Sequence, residues 1–235
     1  MALPTTISSV EFPASNNYLG PFLSSGGNVY VVLIDTTSNL VHVYKATDPT
    51  SSFAEQDSGN KPANAAAGVV SAIQNGDVLS IAGGNNSTSA NYRFHQFNMA
   101  TDLWGTKDRG IAAPTLVAST SPSICVVKRS DASFVAIFNG AKEAIMGTSY
   151  ERVKYSLSTD GGVSWGTPVA VDVAAGLGRE CFGSIAVLGA SDRTHFFYSD
   201  TTSNVKHRSL SSANALDTEA AIVTVSTAMS RNAGP

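Results

Sequence analysis

Ser158-Thr159-Asp160-Gly161-Gly162-Val163-Ser164-Trp165 is the stretch whose reading decides the fold. It follows an alternating run, Val153-Lys154-Tyr155-Ser156-Leu157, and precedes another, Thr167-Pro168-Val169-Ala170-Val171. Period-two alternation on both sides of a Gly-Gly pair predicts a β-hairpin. Asp160 can accept hydrogen bonds from the turn's own amides. Gly161 and Gly162 permit positive φ. Trp165 gives the turn a large apolar anchor, expected to be largely buried.

Weaker copies lie elsewhere. Residues 46–53 keep Asp48 in the Asp160 place and Phe53 in the Trp165 place. Residues 98–104 put Asp102 and Trp104 after the strand-like Tyr92–Phe97, with Gly83-Gly84 upstream. Asp35-Thr36-Thr37-Ser38-Asn39 recurs letter for letter as Asp200-Thr201-Thr202-Ser203-Asn204. Continuing that alignment lands Ser211 on the first position of the turn and Ala213 on the aspartate position, so the last copy has decayed.

The 158–165 string resembles the Asp-box, S-x-D-x-G-x-[ST]-W, of the sialidase-like, or BNR-repeat, β-propellers, with Ser158, Asp160, Gly162, Ser164 and Trp165 at its defining positions. The 83–104 stretch resembles a kelch blade. The resemblance implies an all-β propeller of four-stranded antiparallel blades. It also implies that the box is structural, on the rim opposite the family's active-site face.

Inner strands are expected near Phe22, Gly68, Ser123 and Gly183, a spacing within the range of propeller blades. The expected blades are roughly 20–57, 66–110, 121–172 and 181–226, in one domain, with Thr6–Phe12 as a closing strand. Ser230–Gly234 resembles Gly178–Gly183, which leads into the fourth inner strand. Three expectations stand open: a longer polypeptide, a short or open propeller, or a sheet completed by a partner.

Charged residues make up 14% of the chain against a typical value of about 25%, and the net charge is −3 with no Lys/Arg run. That argues against nucleic-acid binding through phosphates. Apolar runs such as Val29–Ile34 are too short to span a membrane. The N-terminus lacks the basic and apolar regions of a secretory signal. Cys125 and Cys181 fall at neighbouring inner strands, where a disulfide is geometrically conceivable; two buried free thiols are the favoured reading. His42, His95, His195 and His207 are dispersed on strands, so no metal or other cofactor is expected.

The sialidase resemblance implies three substrate-binding arginines, one in a first-blade R-I-P-type motif, with a Tyr–Glu nucleophile pair and an Asp acid/base. Here the first arginine is Arg93, in the second blade, and no R-I-P occurs. Tyr150-Glu151 is the nearest candidate for the nucleophile pair; its other reading is a strand-entry tyrosine beside a solvated carboxylate. No residue is assigned as catalytic, and the balance falls against an enzyme. The B–C loops, Asp35–Asn39, Gly84–Asn91, Gly140–Tyr150 and Asp200–Asn204, supply the ligand-binding candidates Asn85, Asn86 and Tyr150, and Arg179 joins them from the crossing into blade 4. The expected function is a non-enzymatic propeller: a structural or receptor- and glycan-binding part of a larger assembly, with other subunits as partners and a phage or virus particle as its setting. The alternatives are a sialidase-like glycoside hydrolase and an intracellular, cytoplasmic kelch-like interaction module.

Overall fold

The computed structural model describes residues 18–34, 40–63, 68–85, 92–111, 124–145, 148–172, 182–199, 204–218 and 220–224. They form four antiparallel sheets, each following the chain order, and no α-helix occurs among them. Blade 1 is β1 (Tyr18–Leu23), β2 (Val29–Ile34), β3 (Val41–Ala46) and β4 (Ala54–Glu55). Blade 2 is β5 (Gly68–Asn75), β6 (Val78–Asn85), β7 (Tyr92–Asn98), β8 (Leu103–Trp104) and β9 (Arg109–Ile111); its outer strand is split, and both pieces pair with β7. Blade 3 is β10 (Ile124–Lys128), β11 (Phe134–Ile145), β12 (Thr148–Ser158) and β13 (Val169–Ala170). Blade 4 is β14 (Phe182–Leu188), β15 (Thr194–Ser199), β16 (Asn204–Leu210) and β17 (Ala220–Thr224). The first strands touch in the order β1, β5, β10, β14, so they are the inner strands of a β-propeller.

The apolar pattern explains the stacking. In β2 all six residues are buried, because both faces of the sheet are covered. Tyr30, Val32 and Ile34 point to blade 2 and meet Leu79, Ile81 and Phe97. The opposite parity of blade 2, Ala82, Tyr92 and Phe94, meets Phe134, Ala136 and Phe138 of blade 3. Val135, Ile137 and Tyr155 then meet Phe196, Tyr198 and Leu210 of blade 4. Each apolar cluster therefore straddles one blade boundary. Burying a large side chain in such a cluster contributes about 1.5–3 kcal/mol.

Polar contacts at the turns add to these joints. The Ser25 amide and hydroxyl donate to the Asp77 carboxylate at 2.6 and 2.5 Å, joining the A–B turns of blades 1 and 2. The same device recurs between blades 3 and 4: the Ser130 amide donates to Asp192 at 3.0 Å, and the Ser130 hydroxyl donates to its other oxygen. Blades 2 and 3 are joined there by Lys128 Nζ donating to Asn75 at 3.2 Å.

One expectation requires correction. The 140–150 stretch, read as a B–C loop, is largely strand. Lys142, Glu143, Ala144 and Ile145 pair with Glu151, Tyr150, Ser149 and Thr148, after a bulge between Asn139 and Lys142. The bulge lets the ladder resume past Gly140, so one glycine did not end the strand. Trp165 packs on the Phe94–Phe134 cluster, meeting the Phe94 ring edge-on, and its indole nitrogen is buried. Thr6–Phe12, Cys181 and Ser230–Gly234 lie outside the described residues. Cys125 is a free thiol pointing its Sγ at the Ala186 carbonyl, 3.7 Å away in blade 4.

Candidate functional site

The two rims of the propeller differ in chemistry. One carries the A–B and C–D turns, and its side chains hold blades together. The 158–165 turn belongs to it. Ser158 is fully buried; its hydroxyl donates to Asp160 Oδ1 at 2.8 Å and accepts the Gly162 amide at 2.8 Å. The Ser164 amide donates to both Asp160 oxygens at 2.9 and 3.1 Å, and the Ser164 hydroxyl donates at 2.5 Å. Those bonds, first the Ser164 hydroxyl, then its amide, then Ser158, lower the Asp160 pKa to about 2. Asp160 is an occupied structural acceptor, with Gly161 and Gly162 at φ of 73° and 93°.

The weaker copies use the same rim differently. Asp48 accepts the Thr50 amide at 2.8 Å and the Thr50 and Ser51 hydroxyls, so it closes its own turn as Asp160 does. In blade 2 that task falls to Asn98, which accepts the Ala100 and Thr101 amides. Asp102, at φ 58°, instead faces blade 1, where it accepts the Tyr30 hydroxyl at 2.7 Å and Lys45 Nζ at 2.6 Å.

The opposite rim lies where β2, β6, β11 and β15 end, and of the sequence-derived ligand candidates Asn85 and Tyr150 map there. Asn85 ends β6, with Gly68 as its register partner. Tyr150 and Glu151 lie near the start of β12, opposite Glu143 and Lys142 in the hairpin that extends blade 3 at this rim. Asn86 and Arg179 lie outside the described residues. The structure thus places Tyr150 and Glu151 on one hairpin and Asn85 on the neighbouring blade.

Beneath that hairpin sits an ion pair that sequence reasoning did not single out. Arg152 Nε donates to the Asp172 carboxylate at 3.1 and 3.3 Å, and Arg152 Nη2 donates to the Asp172 carbonyl at 2.7 Å. Both side chains are largely buried. The pair ties the base of the long hairpin to the end of the outer strand. Its signal in the sequence was faint: one arginine in an alternating strand and one aspartate twenty positions later.

Four further arginines are bonded to protein groups, three of them to the 209–217 segment of blade 4. Arg129 donates to Asn214 Oδ1 at 2.6 Å and the Ser211 carbonyl at 3.0 Å, across the blade 3–blade 4 joint. Arg208 donates to the carbonyls of Val171 and Asp217, Arg193 to the Ser209 hydroxyl, and Arg93 to the Asp108 carbonyl. No first-blade arginine stands among them, since Arg93 is the first in the chain. Nor does any group of three His, Cys, Asp or Glu stand ready to hold a metal ion among the described residues. No helix among the described residues is long and apolar enough to cross a membrane.

Similarity to known proteins is carried by the fold. No protein-family model and no curated protein matches the sequence. Solved structures do. An α-L-arabinanase from Penicillium chrysogenum, solved with arabinobiose, superposes with a TM-score of 0.55 at 9% identity, covering 86% of this chain and 65% of that one. The Aleuria aurantia lectin, a six-bladed β-propeller that recognises fucose, gives 0.52 at 9%, covering 86% and 59%. A polysaccharide lyase acting on ulvan gives 0.52 at 12%, covering 86% and 56%. The chain is a β-propeller in fold, and it spans less than two thirds of the length of each of these three. The likeness extends to propellers that bind or act on carbohydrates, without singling out the sialidase group.

Proposed function

We propose that this protein is a glycan-binding β-propeller that serves, without catalysis, as a structural or receptor-binding part of a larger assembly, with a phage or virus particle as its setting. The observation that carries the reading is the fold match: the propellers named above include a fucose lectin, an arabinanase and an ulvan lyase. The B–C rim, with Tyr150 on the projecting hairpin of blade 3 and Asn85 at the end of β6, is the proposed glycan face, and the sequence candidates Asn86 and Arg179 are assigned to it with them. An aromatic ring with amide and hydroxyl neighbours suits sugars, which offer C–H faces to stack and hydroxyls to bond. Against catalysis stands the engagement of Arg93, Arg129, Arg152, Arg193 and Arg208 within the protein. The setting is argued from composition: few charges, many Ser, Thr, Asn and Gly, and few cysteines.

A glycan array with the intact chain tests the binding. The expected result is binding that Tyr150→Ala weakens by tenfold or more, with no release of sugar from aryl glycosides, sialosides or arabinan. A silent array defeats the glycan reading. The arabinanase likeness keeps a glycoside hydrolase as the second reading. Turnover abolished by Glu151→Gln would put it first.

A further inference from the structure

Blade 4 brings together two histidines that lie twelve positions apart in the chain. His195 is on β15 and His207 on the adjacent β16, where His195 is opposite Ser209 and His207 opposite Phe197. His195 Nδ1 and His207 Nε2 are hydrogen-bonded at 3.0 Å, with the rings 19° from parallel. Their surroundings hold both rings in place. A Cβ on Gly189 would lie 2.8 Å from His195 Nε2, so that ring packs on the bare backbone of the glycine. The Phe197 ring lies 5.0 Å from His207. Val187 of β14 is opposite His195 and Ala220 of β17 is opposite His207, so neither flanking strand sets a charge against them there. Arg193 and Asp217 supply the charges on this side of the sheet. Arg193 Nη1 donates to the Ser209 hydroxyl at 2.6 Å, and that hydroxyl donates to Asp217 Oδ2 at 2.5 Å. Lys206 and Arg208 alternate to the other side, opposite Tyr198 and Phe196. Desolvation pushes the Asp217 pKa up, but the Ser209 bonds, and then the charges of His207 and Arg208, bring it below the ordinary carboxylate value. Asp217 therefore stays negative throughout the range in which imidazoles titrate.

A hydrogen bond between two ring nitrogens holds one proton between them. Two neutral imidazoles meet that condition, and so does one neutral ring beside one cationic ring. Two cationic rings do not, because two N–H groups then point into a gap of 3.0 Å and two like charges face each other. We propose that the His195–His207 pair is an acid-sensitive latch between β15 and β16, closed while it shares one proton and opened when both rings become cationic. The sign follows from counting protons. The opened strands take up two protons without conflict, whereas the closed pair takes up one, so acidification favours opening. Closure is complete above the range in which imidazoles titrate and is lost as the pH falls through it. The opening is local to blade 4, since both rings lie on its two middle strands.

Amide exchange of the intact chain at about pH 7.5 and about pH 5, each corrected for the intrinsic exchange rate, tests this. β10 and β11 carry no histidine and serve as the reference. Protection in β15 and β16 is expected to fall at least tenfold further than in those strands. His207→Gln keeps a polar side chain that cannot become cationic, and it is expected to remove the excess. His195→Gln is expected to do the same, so either variant serves if the other misfolds. His95→Gln, in blade 2, is expected to leave the excess in place. An equal fall in both pairs of strands, or an excess that survives the substitutions at 195 and 207, overturns the inference. So does nitrogen NMR of the parent chain that finds both imidazoles cationic while β15 and β16 keep their protection.

Discussion

The ring of Phe94 occupies the space that a side chain on Gly162 would need: a Cβ there would lie 2.0 Å from Phe94 Cε1. Phe94 belongs to blade 2 and Gly162 to the C–D turn of blade 3, so the glycine is a socket for the neighbouring blade. The same ring meets Trp165 edge-on at 5.3 Å and Phe134 at 5.1 Å. Gly162 therefore satisfies two demands at once, a positive φ and the absence of a Cβ.

Gly162→Ala is expected to destabilise the protein by about 3 kcal/mol, from overpacking and backbone strain together. Because the clash is with one ring, Phe94→Leu in the same chain should recover about 1 kcal/mol or more relative to additivity. A double-mutant cycle by urea denaturation measures it; additive losses would mean that the strain is purely local.

Asp160→Asn should lower the melting temperature at neutral pH, since the carboxylate accepts three bonds from Ser164 and one from Ser158. The folded pKa of about 2 lies below the ordinary carboxylate value, so this stabilisation is complete above about pH 4. It is lost as the pH falls towards 2. The gap in melting temperature between the parent and Asp160→Asn should close over that window.

His95 gives the acid response of the interior. Its Nδ1 accepts the Asp108 amide at 3.0 Å, and the ring is fully buried. Burial, the larger influence, pushes its pKa down to about 4. An unfolded chain takes up that proton near pH 6.5, so stability falls as the pH drops from about 6.5 to about 4, by about 3 kcal/mol in total. Urea titrations at pH 7 and pH 4.5 measure the slope. His95→Gln should flatten it, whatever it does to stability at pH 7.

Tyr30→Phe removes a hydroxyl whose single proton is shared between the Met99 carbonyl and Asp102, each 2.7 Å away across the first joint. The expected loss is about 1–2 kcal/mol, the range for deleting one partner of a buried hydrogen bond. Lys45 still serves Asp102, which limits the damage. Chemical denaturation of Tyr30→Phe measures it, and an unchanged midpoint would show that water replaces the hydroxyl.

Strands and turns were legible in the sequence because their signals are local. Alternation in Val153–Leu157 and the Asp160-Gly161-Gly162 turn each depend on a few adjacent residues. Asp48 could likewise be placed from its own turn. What depends on contact between blades was hidden. Asp102 looked like a turn aspartate but serves Tyr30 and Lys45, while Asn98 does the local work. Phe94 looked like any strand aromatic, and Arg152 like any solvated cation, until Asp172 was folded beneath it. The 142–151 hairpin was missed because Gly140 reads as a stop, while a bulge lets the ladder continue. The glycan-face candidates were the least legible, since Ser, Thr, Asn and Gly mark a binding loop and an ordinary loop alike.

The joints also set how the molecule should come apart. Each apolar cluster, like the Ser25–Asp77 and Ser130–Asp192 contacts, links a blade to its neighbour in sequence and skips none. A fold wired that way approximates a one-dimensional array, in which every unit's persistence depends on how many neighbours hold it. Blades 2 and 3 are held on both sides, while among the described residues blade 4 has an apolar cluster on one side alone. Amide exchange should accordingly be fastest in β15 and β16 and slowest in β6 and β11, a gradient along the chain with no single melting unit.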